Sequence, residues 1–244
     1  LDKDVDYFIV SESTKTHQGK SKKINFDINN FAKFKNKIKF VVADYDKKID
    51  FQNHTGGESI IEQHQRNFLS EGIKDAASED LIILSDSDEI PDLSKMHKIK
   101  KNRKFIAFAH KMFMYKLNLQ NLDESNWIGS KKTKKKYISS MQSLRDLKFK
   151  NYPFWRIDKY NLQIINGGWH FSYLQTPQQI LTKIKSFSHG EFNNKNMNEE
   201  NIQEKILKNE DIFGRGTTLQ KITLDSSYPE YIFENKDKFL KWII

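Results

Sequence analysis

The chain has 244 residues, 37% hydrophobic and 13% aromatic, enough for one substantial core and too apolar for global disorder. It contains no cysteine, which excludes disulfides and thiolate metal sites; any metal must sit on Asp, Glu, His or carbonyl oxygen, the ligand set of hard cations such as Mg²⁺ or Mn²⁺. No run approaches the ~20 apolar residues that span a bilayer, and Leu1-Asp2-Lys3-Asp4 has no signal-peptide pattern, so the expectation is a soluble or cytoplasmic chain without a membrane span. The net charge of +9 accompanies lysine, asparagine, isoleucine and phenylalanine spread everywhere, as an AT-biased genome would produce, and no basic helix face or RNA-binding motif predicts a nucleic-acid partner.

In chain order, Val5 to Val10 and Ile38 to Val42 are short, β-rich runs bounded by polar residues and are predicted as strands. The first runs into Ser11-Glu12-Ser13-Thr14 and the second into Asp44. Between His54 and Ile73 the apolar positions have helical spacing, with Gly72 near the end. Leu81 to Leu84 is a third predicted strand. Strand, crossover, strand, helix, strand predicts an α/β sheet with parallel neighbours and ligands at the carboxyl ends of its strands, where Glu12, Asp44 and Asp86 fall. A helix is expected from about Leu93 to Lys101 and a long strand or strand pair from Phe105 to Tyr115. Lys131 to Lys136, KKTKKK, reads as an exposed mobile loop. Ile164 to Tyr173 is strand-like, Ile180, Leu181, Ile184 and Phe187 make an amphipathic helical face ending near His189-Gly190, and a last helix covers Glu199 to Lys208. There is no internal repeat and no domain linker.

The stretch with most chemistry is SDSDEIPD, Ser85 to Asp92, directly after the third strand. If strand alternation continues through it, Asp86 and Asp88 point the same way, roughly 6 to 7 Å apart, a gap that suits one divalent cation or a cation-bound diphosphate. The alternative is an acidic turn before a helix, with Pro91 in the first turn and Asp92 as its cap. Gly167-Gly168 allows close backbone approach to a ligand or a neighbouring strand. Trp169 and Tyr173 offer flat faces that either stack on sugar rings or pack in the core. His170 is either a cation ligand or a hydrogen-bonded histidine. His189 and Glu191 are proton-transfer candidates past a helix end, His189 otherwise complementing the helix dipole, and Asp211 competes for the same role. Arg66, in Gln65-Arg66-Asn67, could reach a nucleotide or pair with Asp86 or Glu89.

Taken together, these segments resemble glycosyltransferase family 17, whose animal members are β-1,4-mannosyl-glycoprotein N-acetylglucosaminyltransferases. VDYFIVSESTKTHQGKSK is similar to the family's Glu-Ser-x-x-Thr-x-x-Gly-Lys stretch (Glu12, Ser13, Thr16, Gly19, Lys20), EQHQRN to its helix with Gln65 and Arg66, and DLIILSDSDEIPD to its Asp-x-Asp element. GGWHFSY and KIKSFSHGEFN match two later blocks, so the resemblance runs from about Val5 to Arg215. It implies a GT-A-like (Rossmann-like) α/β fold with a central, mostly parallel sheet flanked by helices. It implies one domain, with residues 1–116 on the nucleotide-sugar side and 117–244 on the acceptor side, and a first family strand that would precede Leu1.

The resemblance further implies an inverting transfer from a UDP-sugar, UDP-N-acetylglucosamine or a close relative, to a glycan acceptor, with Mn²⁺ or Mg²⁺. It assigns Asp86, Asp88 and His170 to the metal, and Glu12, Lys20, Arg66 and Asp86 to the donor. Glu191 becomes the preferred base with Asp211 the alternative, and Trp169, Tyr173 and His189 fall to the acceptor. The competing readings are a non-catalytic glycan- or polyanion-binding protein and a metal-dependent nucleotidyltransferase. Acceptor loops are expected in the poorly patterned region from Leu117 to Asn161.

Overall fold

The computed structural model describes residues 1–16, 19–44, 60–186 and 197–244, without the side chains of Lys185 and Ser186. The chain divides into two compact units, one holding the described residues of 1–80, 134–147 and 185–186, the other those of 81–133, 148–184 and 197–244.

In the first unit, β1 (Phe8–Ser13) and β2 (Ile38–Ala43) pair in parallel, Phe8 opposite Ile38 through Ser13 opposite Ala43. The first strand starts three residues later than expected and carries Glu12 within it, because the hydroxyl and acidic side chains after Val10 still face a neighbour that continues the ladder. Helix α1 (Ile60–Phe68) runs into a 3₁₀ segment, Leu69–Ile73. Gln65 ties α1 to β1 by a reciprocal pair of bonds, its Nε2 donating to the Ser11 carbonyl at 2.8 Å and its own carbonyl accepting from Ser11 Oγ at 3.0 Å. Helix α2 (Met141–Asp146) is started by a capping box between Ser140 and Ser143 and donates its Gln142 N–H to Asn67 Oδ1 at 2.9 Å.

The second unit is built on a seven-stranded sheet. Its strands are β3 (Leu81–Leu84), β4 (Glu89–Pro91), β5 (Phe105–Met114), β6 (Leu119–Asn121), β7 (Trp127–Lys134), β8 (Leu162–Ser172) and β9 (Leu219–Lys221). The mixed α/β character is as expected, but this sheet is mostly antiparallel. Strand β5 runs parallel to β8 and antiparallel to β6 and β7, while β4–β8 and β6–β9 are antiparallel. The reason is connection length: only Tyr115–Asn118 separate β5 from β6, too few for the crossover that a parallel neighbour requires.

Helix α3 (Pro177–Ser186) begins with Pro177 in its first turn and a Thr176–Gln179 capping box, Gln179 N–H donating to Thr176 Oγ1 and Thr176 N–H to Gln179 Oε1. With α4 (Glu199–Leu207) it buries Ile180, Ile184, Ile202 and Ile206 against Met112, Met114 and Leu119. Elsewhere the sheet packs Phe113 and Phe171 against Leu224, Tyr228 and Ile232, the last in α5 (Glu230–Glu234).

The KKTKKK segment departs from its expected loop. Lys131, Lys132 and Thr133 lie in β7, between β3 and β5, and are only 5%, 8% and 1% exposed. Lysine stems are long enough to be buried along apolar neighbours packed on the sheet, here with Lys131 Nζ 5.7 Å from the Phe149 ring centre. Lys134, the last residue of β7, and Lys136, just beyond it, pair with Glu79.

Candidate active site

Two glycine-bearing bulges on either side of His110 shape the centre of the larger sheet. On β8, Asn166 is opposite Ala109 and Trp169 opposite Lys111, so Gly167 and Gly168 together face the single residue His110. On β7, Lys131 faces Ala107 and Ile128 faces Ala109, leaving Gly129 and Ser130 opposite Phe108. The glycines are required. A Cβ on Gly168, whose φ is +136°, would lie 2.3 Å from His110 Cδ2 and 2.8 Å from the Ile90 carbonyl; one on Gly129 would lie 2.4 Å from His110 Nδ1. The Gly167-Gly168 pair therefore serves close approach of a neighbouring strand.

The β8 bulge decides which way His170 points. In uninterrupted alternation Ile165 and Trp169 would share a face; the extra residue reverses the phase. Trp169 and Phe171 pack with Phe113, while His170 stands opposite Met112 and Glu89. There its Nε2 is 3.4 Å from Asp88 Oδ1 and its ring centre 5.0 Å from that of Trp127, and its buried Nδ1 has no hydrogen-bond partner.

Asp86 and Asp88 do not continue the strand. Glu89 N–H donates to the Asp86 carbonyl at 3.1 Å, closing a turn, so strand alternation does not relate the two carboxylates. The turn is held by Glu89, buried to 5% exposure, whose Oε2 accepts from Asp86 N–H at 3.2 Å and whose Oε1 accepts from Trp127 Nε1 at 2.9 Å. Phe171 N–H donates to the Asp88 carbonyl at 2.9 Å, joining the turn to β8 directly beside His170. Asp92 caps the 3₁₀ segment Leu93–Lys98, as the turn reading expected. Burial pushes the Asp88 carboxyl up, but the His170 side chain and the positive charge of Lys183 outweigh it, and the net shift is downward. Asp88 is thus an anion held beside an imidazole. Among the described residues no group of three or more His, Asp and Glu side chains forms a metal cage, so the expected Asp86, Asp88 and His170 set is represented by the Asp88–His170 pair.

The remaining expected residues fall into different settings. Tyr173 (φ +53°) lies under Lys183, whose Nζ is 4.6 Å from its ring centre, and burial raises its hydroxyl pKa against the opposing pull of Arg215. Trp169 lies on the other face, donating from Nε1 to the Ser227 carbonyl at 3.1 Å. Asp211, 5% exposed, accepts from Tyr115 Oη at 2.9 Å and from Arg215 Nε at 2.9 Å, Nη2 at 3.1 Å and backbone N–H at 3.0 Å. Burial raises its pKa, but these bonds outweigh it and lower it. That is the setting of an anchor, and a poor one for a base. Glu191 and His189 lie outside the described residues.

In the first unit, Glu12 accepts from the N–H groups of Asn25 (2.9 and 3.0 Å) and Phe26 (2.8 Å) and from Lys22. Burial raises its pKa and those donors more than reverse the effect. Arg66, 8% exposed, pairs with Glu62 at 2.7 Å and Gln142. Lys20 is exposed, its N–H closing a turn on Thr16 Oγ1 at 3.2 Å.

Sequence reasoning missed Trp127, His110 and Lys183. His110 left one signal, a polar ring inside the apolar run Phe105–Tyr115; Lys183 is one residue from the apolar stripe of α3, and Trp127 lies where the pattern is weakest.

Among known proteins, no curated protein and no solved structure matches the chain. A family model does: the one described as Glycosyltransferase family 17 matches residues 1–216 of the 244.

Proposed function

Because the chain belongs to glycosyltransferase family 17 and is a glycosyltransferase, we propose that it transfers a sugar, N-acetylglucosamine in our reading, from a UDP-sugar to a glycan hydroxyl with inversion, using a divalent cation held by Asp88 and His170. The observation that carries this is the opposition of Asp88 Oδ1 and His170 Nε2 at 3.4 Å. That is long for a hydrogen bond and suits two adjacent ligands on one hard cation at about 2.1 Å each. A two-residue hold is also the ordinary arrangement for a cation that shares its remaining positions with substrate phosphates and water. Mn²⁺ or Mg²⁺ bound there would neutralise charge on the leaving diphosphate.

The chain's own residues supply the rest. Glu89 and Trp127 keep the Asp86–Glu89 turn in place, so Asp88 needs no reorganisation to meet its ligand. Lys183 adds positive charge near Asp88 where a diphosphate would accumulate negative charge. Asp86, on the same turn, is left for metal or ribose, and Lys20 for the donor. Tyr173 offers a face for the acceptor. With Asp211 engaged by Tyr115 and Arg215, we assign the acceptor proton to Glu191.

UDP with Mn²⁺ should raise the melting temperature, as a ligand binding only the native state does. Asp88→Ala should abolish that rise with the metal-free melting temperature little changed, and His170→Gln should abolish it too. No rise with UDP or any nucleotide sugar in the presence of Mn²⁺ would overturn the donor assignment. Glu191→Gln should keep the rise and lose transfer; retained transfer would move the base elsewhere. UDP, rather than pyrophosphate, should be the released product.

A further inference from the structure

The larger unit carries an exposed surface that includes none of the residues assigned above to the metal, the donor or the acceptor. Between Tyr152 and Tyr160 the chain exposes Phe154 to 94%, Ile157 to 81%, Trp155 to 66% and Tyr160 to 53%. Single exposed apolar residues are common, but four within seven positions form a patch of the kind that marks an interaction site. The patch is set in a basic surround. The stretch Lys98–Lys104 contains five basic residues and no acidic one, and Lys148, Lys150, Arg156 and Lys159 stand against a single carboxylate, Asp158. Asp158 is itself occupied by Arg156 at 2.7 Å and Lys159 at 3.5 Å.

The two basic stretches are adjacent in space. Asn161 accepts at 3.0 Å from the N–H groups of both Lys104 and Phe105. Gln163 bonds to the backbone of Lys98 and Lys100, and the Arg103 guanidinium lies 4.1 Å from the centre of the Tyr160 ring. Lys98, Lys100, Lys101 and Lys104 are exposed.

We propose that this loop docks the protein onto an anionic membrane surface, Phe154, Trp155 and Ile157 entering the headgroup boundary while the Lys98–Lys104 stretch, Lys148, Lys150 and Lys159 lie over lipid phosphates. Charge complementarity selects this occupant. A surface of lysines around protruding apolar side chains matches an anionic interface, which attracts basic residues and accommodates amphipathic aromatics at headgroup depth. A sugar subsite would need flat rings bordered by groups that bond hydroxyls; here Ile157 is aliphatic, Phe154 and Trp155 meet edge to face at 5.2 Å, and Asp158 is already paired. Docking of this kind needs no spanning segment, and no helix among the described residues is long and apolar enough to cross a membrane.

Cosedimentation of the full chain with phosphatidylcholine vesicles, with and without about one third phosphatidylserine, tests this without reference to transfer activity. Binding should be at least ~10-fold tighter to the anionic vesicles at near-physiological salt, with a blue shift in tryptophan emission. The triple change Phe154→Ser, Trp155→Ser, Ile157→Ser should remove most of the binding. Lys100→Glu with Lys101→Glu should weaken it on anionic vesicles only, and this pair carries the test should the triple variant fail to fold. Equal sedimentation of wild type and both variants, or none by the wild type, would overturn the proposal. So would quenching of Trp155 by soluble oligosaccharide without vesicle binding, which would make the loop a sugar subsite. A concentration-dependent dimer abolished by the triple change would likewise overturn it and assign the patch to a second copy.

Discussion

Glu12 in the smaller unit and Asp88 in the larger are both carboxylates at the carboxyl end of a strand or just beyond one, and both have lowered pKa values, yet their surroundings differ in kind. Glu12 is saturated: two backbone N–H groups and Lys22 fill its oxygens and tie the chain at Asn25 and Phe26 back to β1. Asp88 faces one imidazole at a distance too long for a strong bond, with a neighbouring carboxylate, Glu89, holding its turn from behind. A lowered pKa therefore does not separate a carboxylate held by the fold from one proposed to hold a cation. What separates them is whether the donors that lower it also use up its acceptor capacity.

The largest break should come from Asp88→Asn, which should lower sugar transfer, read as UDP release, by about 10³-fold. Glu12→Gln should leave the turnover rate within about threefold, since Asn25, Phe26 and Lys22 already occupy its oxygens. A comparable loss in the two would erase the distinction.

Next is Gly168→Ala, which forces a Cβ into His110 and the Ile90 carbonyl at φ +136° and should destabilise by about 3 kcal/mol in urea unfolding. Gly216→Ala, at φ +74° with open space around it, should lose only about 1 kcal/mol. Trp127→Phe removes the donor to Glu89 Oε1 and should lower transfer about 10-fold, chiefly by loosening the proposed cation site, so excess Mn²⁺ should restore part of it.

Asp211→Asn should reduce stability by about 2 kcal/mol at neutral pH. Because the folded pKa of Asp211 is depressed, that contribution is present above the unfolded value near about 4 and is lost as pH falls through the lower folded value. Acid unfolding of the variant should accordingly be flatter over that interval than that of the wild type. The smallest effect is on stability in Glu12→Gln, about 1 kcal/mol, as an amide oxygen can still accept from Asn25 and Phe26.

Much of the element order was legible before any coordinates. Leu81–Leu84 and Ile38–Ala43 are unbroken β-rich runs, and α3 shows in the helical spacing of Ile180, Leu181 and Ile184. The KKTKKK strand was not legible, because charge argued for solvent and only neighbours on both sides of β7 could bury Lys131 and Lys132. Nor was the mostly antiparallel pairing, which rests on the short link between β5 and β6 and on strands as brief as Glu89–Pro91.

The sequence by itself determined the ingredients: the family, the Asp-x-Asp element, the Gly-Gly pair and a histidine two residues later. These depend on local composition and order, which the chain states directly. Tertiary structure alone decided which ingredients lie together. The bulge opposite His110 turned His170 toward Asp88, Glu89 and Trp127 closed the turn from behind, and saturation by Arg215 and Tyr115 made Asp211 an anchor. Strand phase and acceptor capacity are set by partners distant in sequence, and a one-residue insertion reverses every side chain beyond it.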